Sequence, residues 1–310
     1  MTWLPSLEVH HLWFTCAPQS EVRFGPQAGA QLRGALWEAL QTSISNTELL
    51  ERVMTLETPT AARGANPARP FSIRPPVAQN PGADRRYPPG EQFTFGISVF
   101  GSMIDLFPYI VQSVYQMGQI GVGYGRGHFA LEAVEAANPL TGERQALLAQ
   151  RRVTGMPSVP VTVAQVNDYA ARLPQNRVRL HFLTPTQLTG GNKRLLATPQ
   201  FDRLIARIVE RAQLIAQNYT PVSTPREAWR ELHLSLQKQA EHITMTRCNT
   251  RWLDVRSGSR RANSSKKISG FVGEAVFSGH LTPFLPWLVW GQSLQVGKNT
   301  VKGDGWYELM

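Results

Sequence analysis

The chain has 310 residues, enough for two domains of ordinary size, and its apolar share of 42% excludes an intrinsically disordered polypeptide. No apolar run approaches the roughly 18 residues of a membrane span, and residues 1–14 lack the order of a secretory signal. We therefore expect a cytoplasmic protein without a membrane partner. The net charge of +10 indicates a polyanionic partner such as nucleic acid.

The first half of the chain predicts the element order strand, helix, strand, strand, helix, strand. Leu32, Leu36 and Leu40 recur every four residues, as on the buried face of a helix. The predicted strands are residues 10–17, 71–73, 92–100 and 125–134, and the predicted helices are residues 26–41 and 107–117. Residues 58–89, rich in Pro, Arg and Gly, predict irregular loops around the second strand.

The second half repeats this order after a joint at residues 138–174. The predicted strands are residues 177–183, 247–256, 268–278 and 306–309, and the predicted helices are residues 201–219, 225–242 and 284–294, of which the second is an insertion. Two β-α-β-β-α-β units in tandem predict an α+β fold of two ferredoxin-like (RRM-like) domains. We expect the first domain at residues 1–150 and the second at residues 175–310.

Basic residues concentrate between residues 247 and 267. This segment carries seven of them against the single acid Asp254: Arg247, Arg251, Arg256, Arg260, Arg261, Lys266 and Lys267. The tip of the predicted hairpin is Gly, Ser, Asn and Arg, so we expect it to be exposed. A charged run of this kind can be a solvated face, but a β-ribbon with Arg at its tip suits contact with a nucleic-acid backbone or groove.

A glycine-rich loop precedes the final strand. Gly297, Gly303 and Gly305 let the backbone turn sharply, and its N–H groups can then form an anion nest. Lys298 and Lys302 add positive charge, so we expect an exposed loop that contacts phosphate. The simpler alternative is a plain turn between a helix and a strand.

Three segments in register resemble one known family, the CRISPR-associated repeat-processing (pre-crRNA) endoribonucleases of the RAMP superfamily. They are FGISVFGSMIDLF with GVGYGRGHFAL in the first half, HFLTPTQL followed by a long helix with Arg207 and Arg211, and SGFVGEAVFSG with GQSLQVGKNTVKGDGWYEL at the end. The resemblance covers nearly the whole chain. The last segment, with Gly297, Lys298, Asn299 and Lys302, is similar to the family's glycine-rich loop.

The resemblance implies a metal-independent endoribonuclease that uses no cofactor. In that family the 2′-hydroxyl attacks the adjacent phosphate and leaves a cyclic phosphate and a 5′-hydroxyl. The implied partners are CRISPR repeat RNA, whose hairpin is held by the second domain and retained as mature crRNA, and other CRISPR effector-complex proteins. No metal site is expected from the residues either, because Cys16 and Cys248 lack zinc-ligand spacing and are expected to be buried thiols.

The chain departs from the family where a catalytic histidine is usual, because residues 26–60 contain none and Gln295 stands where a histidine often precedes the final loop. Three alternatives remain for the active site. Arg23 and Arg33 clamp the scissile phosphate without a classical base, or His11 (or its neighbour His10) is the general base, or the chain only binds RNA.

Two functional classes therefore stay open, a nuclease and a non-catalytic crRNA-binding subunit of an effector complex. A third interpretation, a generic RRM-like RNA binder, ranks last because the strand at residues 247–256 carries only Trp252 among aromatic residues. Besides the basic segment and the final loop, Arg126 is a candidate RNA-binding residue. We expect it on the same side of a strand as His128, two residues later.

Overall fold

A computed structural model describes residues 6–44, 68–78, 80–190, 194–221, 224–259 and 264–310. In this part of the chain, two antiparallel sheets with helices packed against them follow one another along the sequence. Both sheets have ferredoxin-like strand order, so the predicted α+β fold of tandem ferredoxin-like domains is confirmed. Among the described helices, none is long and apolar enough to cross a bilayer.

The first half builds a sheet around its first long strand. The strands are β1 (Glu8–Pro18), β2 (Val22–Phe24), β3 (Phe71–Arg74), β4 (Arg85–Tyr87), β5 (Phe93–Phe100), β6 (Phe129–Ala137), β7 (Arg144–Ala146), β8 (Leu148–Ala149), β9 (Arg152–Val153) and β10 (Val161–Thr162). The main sheet has the order β3-β5-β1-β6-β7, and β10 also pairs with β1. The predicted apolar face of β5 is buried, and Ser98 on the opposite face is buried as well because that face packs against the second half of the chain.

Three helices accompany this sheet, α1 (Ala28–Ser43), α2 (Phe107–Ile120) and α3 (Val163–Ala171). Leu32, Leu36 and Leu40 are buried on α1, as their spacing predicts, and α1 packs beside α2. A capping box of Thr162 and Gln165 begins α3.

The second half builds a four-stranded sheet and a separate ribbon. Its strands are β11 (Arg177–Thr186), β12 (Thr244–Leu253), β13 (Arg256–Ser259), β14 (Ser264–Lys267), β15 (Gly270–Ser278) and β16 (Tyr307–Leu309), and its helices are α4 (Phe201–Tyr219), α5 (Arg226–Ala240) and α6 (Leu285–Leu294). The sheet has the order β12-β15-β11-β16, which is the ferredoxin-like order, and β13 pairs with β14 alone. Helix α4 has the predicted bounds because its buried stripe, begun by Phe201 and Leu204, continues to Tyr219.

Two predictions about this fold differ from the structure, and one segment for which no elements were predicted is folded. Strand β6 begins at Phe129 rather than at residue 125, because residues 121–127 form a tight turn rich in glycine with positive φ. The joint at residues 138–174 is folded: it contains β7 to β10 and α3, and α3 packs against α6. Cys16 is buried as expected, but Cys248 is exposed because β12 is an edge strand that the helices leave uncovered.

Buried polar groups join the two halves. Arg74 donates a hydrogen bond to the carbonyl oxygen of Gln292 at 2.6 Å, and its guanidinium lies 5.9 Å from the ring centre of Trp13 and 5.1 Å from that of Trp306. Gln295 donates to the carbonyl oxygen of Ile73 at 3.0 Å. These contacts hold the end of α6, and the loop that follows it, against the first sheet.

Candidate functional site

A cleft lies between the start of α1 in the first half and the glycine-rich loop, residues 297–305, in the second. Its polar wall residues are Gln27 at the start of α1, Arg85 on β4, Thr184 on β11, and Lys302 and Asp304 in the loop. Prolines and glycines form much of the remaining wall, so backbone lies close to the open space. The cleft therefore combines cations, a helix N-terminus and one carboxyl group.

The glycine-rich loop packs directly on α1. A Cβ atom on Gly29 would overlap the carbonyl oxygen of Lys302, and a Cβ atom on Gly303 would lie 2.8 Å from Cδ of Pro75 and 3.2 Å from Cα of Gly29. Gly303 also has a φ of 88°, which favours glycine. The expectation of a fully exposed loop is therefore wrong at Gly303. We expect a Gly303→Val change to disturb the fold as well as RNA binding, whereas Lys298 is exposed.

Asp304 is a buried carboxyl group in the cleft wall. It is 3% exposed, and its Oδ2 atom has no hydrogen-bond partner among the described residues. Burial raises the pKa of this carboxyl group well above its usual range, although the charge of Lys302 and a hydrogen bond from Asn299 act in the opposite direction. The neutral acid is therefore the favoured form over a wider pH range than for an exposed Asp.

Arg23 lies on β2, beside the start of α1. Its guanidinium pairs with Asp84 at 2.6 Å and lies 5.7 Å from the ring centre of Tyr124. The hydroxyl of Tyr124 in turn accepts a hydrogen bond from Gln27 at 2.7 Å. Arg23 is thus connected to the cleft wall only through Tyr124 and Gln27, and it is not among the described residues that line the cleft.

Arg33 and His11 have different surroundings. Arg33 is half-buried on α1, with its guanidinium 5.7 Å from the ring centre of Trp37, and it too is absent from the described cleft wall. His11 is 2% exposed, and its two ring nitrogens lie 2.8 Å from Oγ of Ser98 and 3.1 Å from Oγ of Ser293. Burial, with the charge of Arg74, lowers the pKa of His11. These contacts place His11 in the interface between the two halves, and neither of its ring nitrogens is open to RNA.

Arg126 precedes β6 rather than lying on it. It occupies the tight turn with a φ of 53°, and its exposed guanidinium pairs with Glu38 of α1 at 3.1 Å. His128 is also exposed and also precedes the strand, so the expectation of a shared strand face is wrong. The backbone of this turn contacts β2, because Tyr124 donates a hydrogen bond to the carbonyl oxygen of Arg23.

The basic segment forms an edge strand followed by the β13–β14 ribbon. Arg247, Arg256 and Lys267 are exposed. Arg251 is exposed too, but it donates to Oδ1 of Asn80 at 3.1 Å and to the carbonyl oxygen of Pro81 at 2.5 Å, which ties β12 to the first half. Arg260, Arg261 and the side chain of Lys266 lie outside the described residues.

A second basic strand lies on the same sheet. Arg179 of β11 and Arg247 of β12 are exposed, and both lie opposite the buried Val276 of β15, so the two arginines flank one valine. Arg177, also exposed, is two residues before Arg179. The alternation of residues 177–181 indicated this face, but the charge count that selected the basic segment overlooked it.

Sequence reasoning also missed Arg85 and Asp304. Arg85 falls in a stretch predicted as irregular loops, and only its pairing on β4 with β2 brings it to the cleft. Its Nε atom is buried without a hydrogen-bond partner in the described part of the chain. The sequence could have indicated Asp304, since it is an acid between two glycines in a loop selected for its positive charge.

No group of three or more His, Cys, Asp or Glu residues in the described ranges is arranged to hold a metal ion. Comparison with known proteins gives two family matches. Residues 7–158 match a family model described as an N-terminal domain, and residues 180–307 match the model for the CRISPR-associated endoribonuclease Cas6. No curated protein matches the chain.

Solved structures share the fold over almost the whole chain. A Cas6 product complex is similar with a TM-score of 0.60 and 15% identity, covering 98% of this chain and 99% of that one. Thermus thermophilus Cas6 is similar with a TM-score of 0.57 and 13% identity, with 98% and 99% covered. A RAMP protein binding different RNA substrates has a TM-score of 0.51 and 12% identity, with 97% and 99% covered.

Proposed function

We propose that the chain, whose residues 180–307 match the Cas6 endoribonuclease model, is a CRISPR repeat-processing protein that binds and cleaves CRISPR repeat RNA. The observation that carries this proposal is the cleft in which α1 of the first half meets the glycine-rich loop of the second. It joins the cations Arg85 and Lys302 to a helix N-terminus. Such a site suits a phosphate group.

The stem of the repeat hairpin would lie on the basic surface of the second domain. Arg247, Arg256 and Lys267 are exposed there, and Arg179 extends the same face toward β11. Arginine holds phosphate in two-point contacts that position RNA without reading its sequence. Lys298, at the exposed side of the glycine-rich loop, supplies a further contact.

The proposed reaction is a metal-independent transesterification. The 2′-hydroxyl oxygen attacks the neighbouring phosphorus, the bond from phosphorus to the 5′-oxygen breaks, and a 2′,3′-cyclic phosphate and a 5′-hydroxyl result. The protein holds the attack in line and stabilises the extra negative charge with cations and N–H groups. Arg23 and Arg33 are the proposed clamp beside α1, and retention of the mature crRNA would make the enzyme single-turnover.

Cleavage of a cognate repeat hairpin in excess EDTA tests this function. We expect a 2′,3′-cyclic phosphate on the upstream product and full protection by one 2′-deoxy nucleotide at the cut. The same deoxy substitution one nucleotide away is the matched control and should leave the rate unchanged. Loss of cleavage in EDTA, or a 3′-hydroxyl product, would contradict the metal-independent mechanism.

A non-catalytic crRNA-binding subunit is the alternative. The observation that favours it is that the described cleft wall contains no histidine, since His11 is buried and does not line the cleft. Tight binding of the hairpin without cleavage of any cognate repeat would support this alternative. Association with other effector-complex proteins is proposed in either case.

A further inference from the structure

One acid stands among the cations of the cleft. Asp304 lies between Gly303 and Gly305, whose φ angles are 88° and 76°, in a turn that packs on α1. A Cβ atom on Gly305 would overlap the carbonyl oxygen of Val296, so the backbone on both sides of Asp304 is closely packed. The backbone oxygen of Asp304 also accepts a hydrogen bond from Gln295 at 3.3 Å. The carboxyl group is therefore held at a defined place in a cleft wall that also includes Arg85 and Lys302.

This carboxyl group has no structural task that uses both of its oxygens. Asn299 contacts it within the loop, but Oδ2 has no hydrogen-bond partner among the described residues. Leaving a buried polar oxygen unpaired destabilises the folded state. Such a cost at the wall of a cleft is the kind of local conflict that functional sites tolerate.

We propose that the carboxyl group of Asp304 is the proton donor to the 5′-oxygen that leaves during cleavage. The proposal rests on the function proposed above and names a proton donor, which the arginine clamp alone does not supply. As the bond from phosphorus to the 5′-oxygen breaks, the proton passes from Asp304 to that oxygen and gives the 5′-hydroxyl product. The proton of the attacking 2′-hydroxyl goes to water, and Asp304 then regains a proton from solvent, so the atoms balance.

The surroundings favour this role for two reasons. The raised pKa of Asp304 keeps a fraction of it protonated at pH values where an exposed Asp is ionised, and a proton donor must be protonated. The other charged groups of the described cleft wall are the cations Arg85 and Lys302, which can hold the phosphate. His11 cannot be the proton donor, because both of its ring nitrogens contact serines in the interface between the two halves.

The test uses the full chain with Asp304→Asn and two RNA substrates. On ordinary RNA the variant should cleave on the order of 10²- to 10⁴-fold more slowly than the wild type. On RNA whose 5′-oxygen at the cut is replaced by bridging sulfur, both proteins should cleave at similar rates. A thiolate leaves without protonation, so this substrate needs no acid.

The pH profile gives a second readout. The protonated acid is the active form, so its contribution is full below the pKa of Asp304 and falls as the pH rises through it. The wild-type rate should show that fall relative to Asp304→Asn, which lacks the titrating group. Asp168→Asn, which removes an exposed carboxylate on α3, is the matched control and should behave as the wild type on both substrates.

The outcomes separate this proposal from the proposed function. Normal cleavage of ordinary RNA by Asp304→Asn would overturn the role of Asp304 and leave the nuclease intact. Equal slowing on both substrates would also overturn it, since a merely structural residue acts on both alike. A wild type that cleaves neither substrate would overturn both proposals. Asn matches the size of the neutral acid, and equal unfolding midpoints would establish that the variant is folded.

Discussion

Single side chains near α1 divide into those that line the cleft and those that do not. Arg85, Lys302 and Asp304 belong to the first group, and Arg23 and Arg33 to the second. Arg23 is held by Asp84, and Arg33 lies over Trp37. A clamp built from the second group therefore requires these side chains to leave their present partners when RNA binds.

Arginine substitutions test that clamp. We expect Arg33→Ala, and also Arg23→Ala, to lower the cleavage rate by on the order of 10²-fold, the loss typical of one charge-stabilising donor, while binding stays nearly intact. The measurement is single-turnover cleavage at saturating protein. Arg203→Ala, which breaks a half-buried ion pair with Asp202 on α4, is the matched control.

His11→Ala belongs in the same assay because it tests the rival general base. From its burial we expect this variant to lose stability, and Asn at this position, which can still contact one serine, to recover part of it. Normal cleavage by both arginine variants together with a folded but inactive His11→Asn would refute the arginine clamp.

At the scale of elements, the β13–β14 ribbon follows the edge strand β12, and its Arg256 and Lys267 are exposed. Joint replacement of Arg256, Arg260 and Arg261 by Ala should weaken binding of the hairpin. It should also reduce the slope of log affinity against log salt by about 0.7 to 0.9 for each lost phosphate contact. Titration at several salt concentrations measures both quantities.

The matched control removes the same charge elsewhere. Arg144 on β7 and Arg151 and Arg152 at the β8–β9 turn are exposed in the first half, and their joint replacement by Ala should leave the slope unchanged. Equal effects of the two triple variants would mean that net charge, and not the ribbon, determines binding. Arg251 is left out because it also ties β12 to the first half.

Periodicity predicted most of these elements because an element buried on one face has apolar residues at regular spacing in the sequence. Helix α4 has the predicted bounds, and α6 begins one residue later than predicted. Periodicity failed at residues 121–127, where glycines end the pattern without starting a strand, and at residues 144–171, where short strands have too few residues to alternate. The sequence predicted one side of the cleft, because the loop was selected for its glycines and lysines. It did not predict Arg85, which lies in the cleft wall only through the pairing of β4 with β2.

At the scale of the whole molecule, stability should depend on acid pH through the buried histidines of β1. Burial lowers the pKa of His10 from 6.5 to about 4 and also lowers the pKa of His11. For such groups the stabilisation is present above pH 6.5 and is lost as the pH falls toward 4, with an upper limit of about 3 kcal/mol for His10. We expect His10→Leu to reduce this loss in urea unfolding between pH 7.5 and pH 4.5.

His280→Leu removes an exposed histidine and serves as the control for that measurement. Carboxyl groups titrate in the same range, so the informative quantity is the difference between each variant and the wild type. Identical pH dependence in the wild type and His10→Leu would show that His10 titrates alike in the folded and unfolded chain.

Gly29 and Gly303 lie in different halves of the chain, yet each occupies space that a side chain on the other would need. In evolution the two positions are therefore constrained together, because a mutation that adds a methyl group at either one separates α1 from the loop. Recombination that exchanges one half of the gene with a diverged copy would preserve the cleft only where both parents carry glycine. Anyone who grafts this loop onto another scaffold must move the helix position with it.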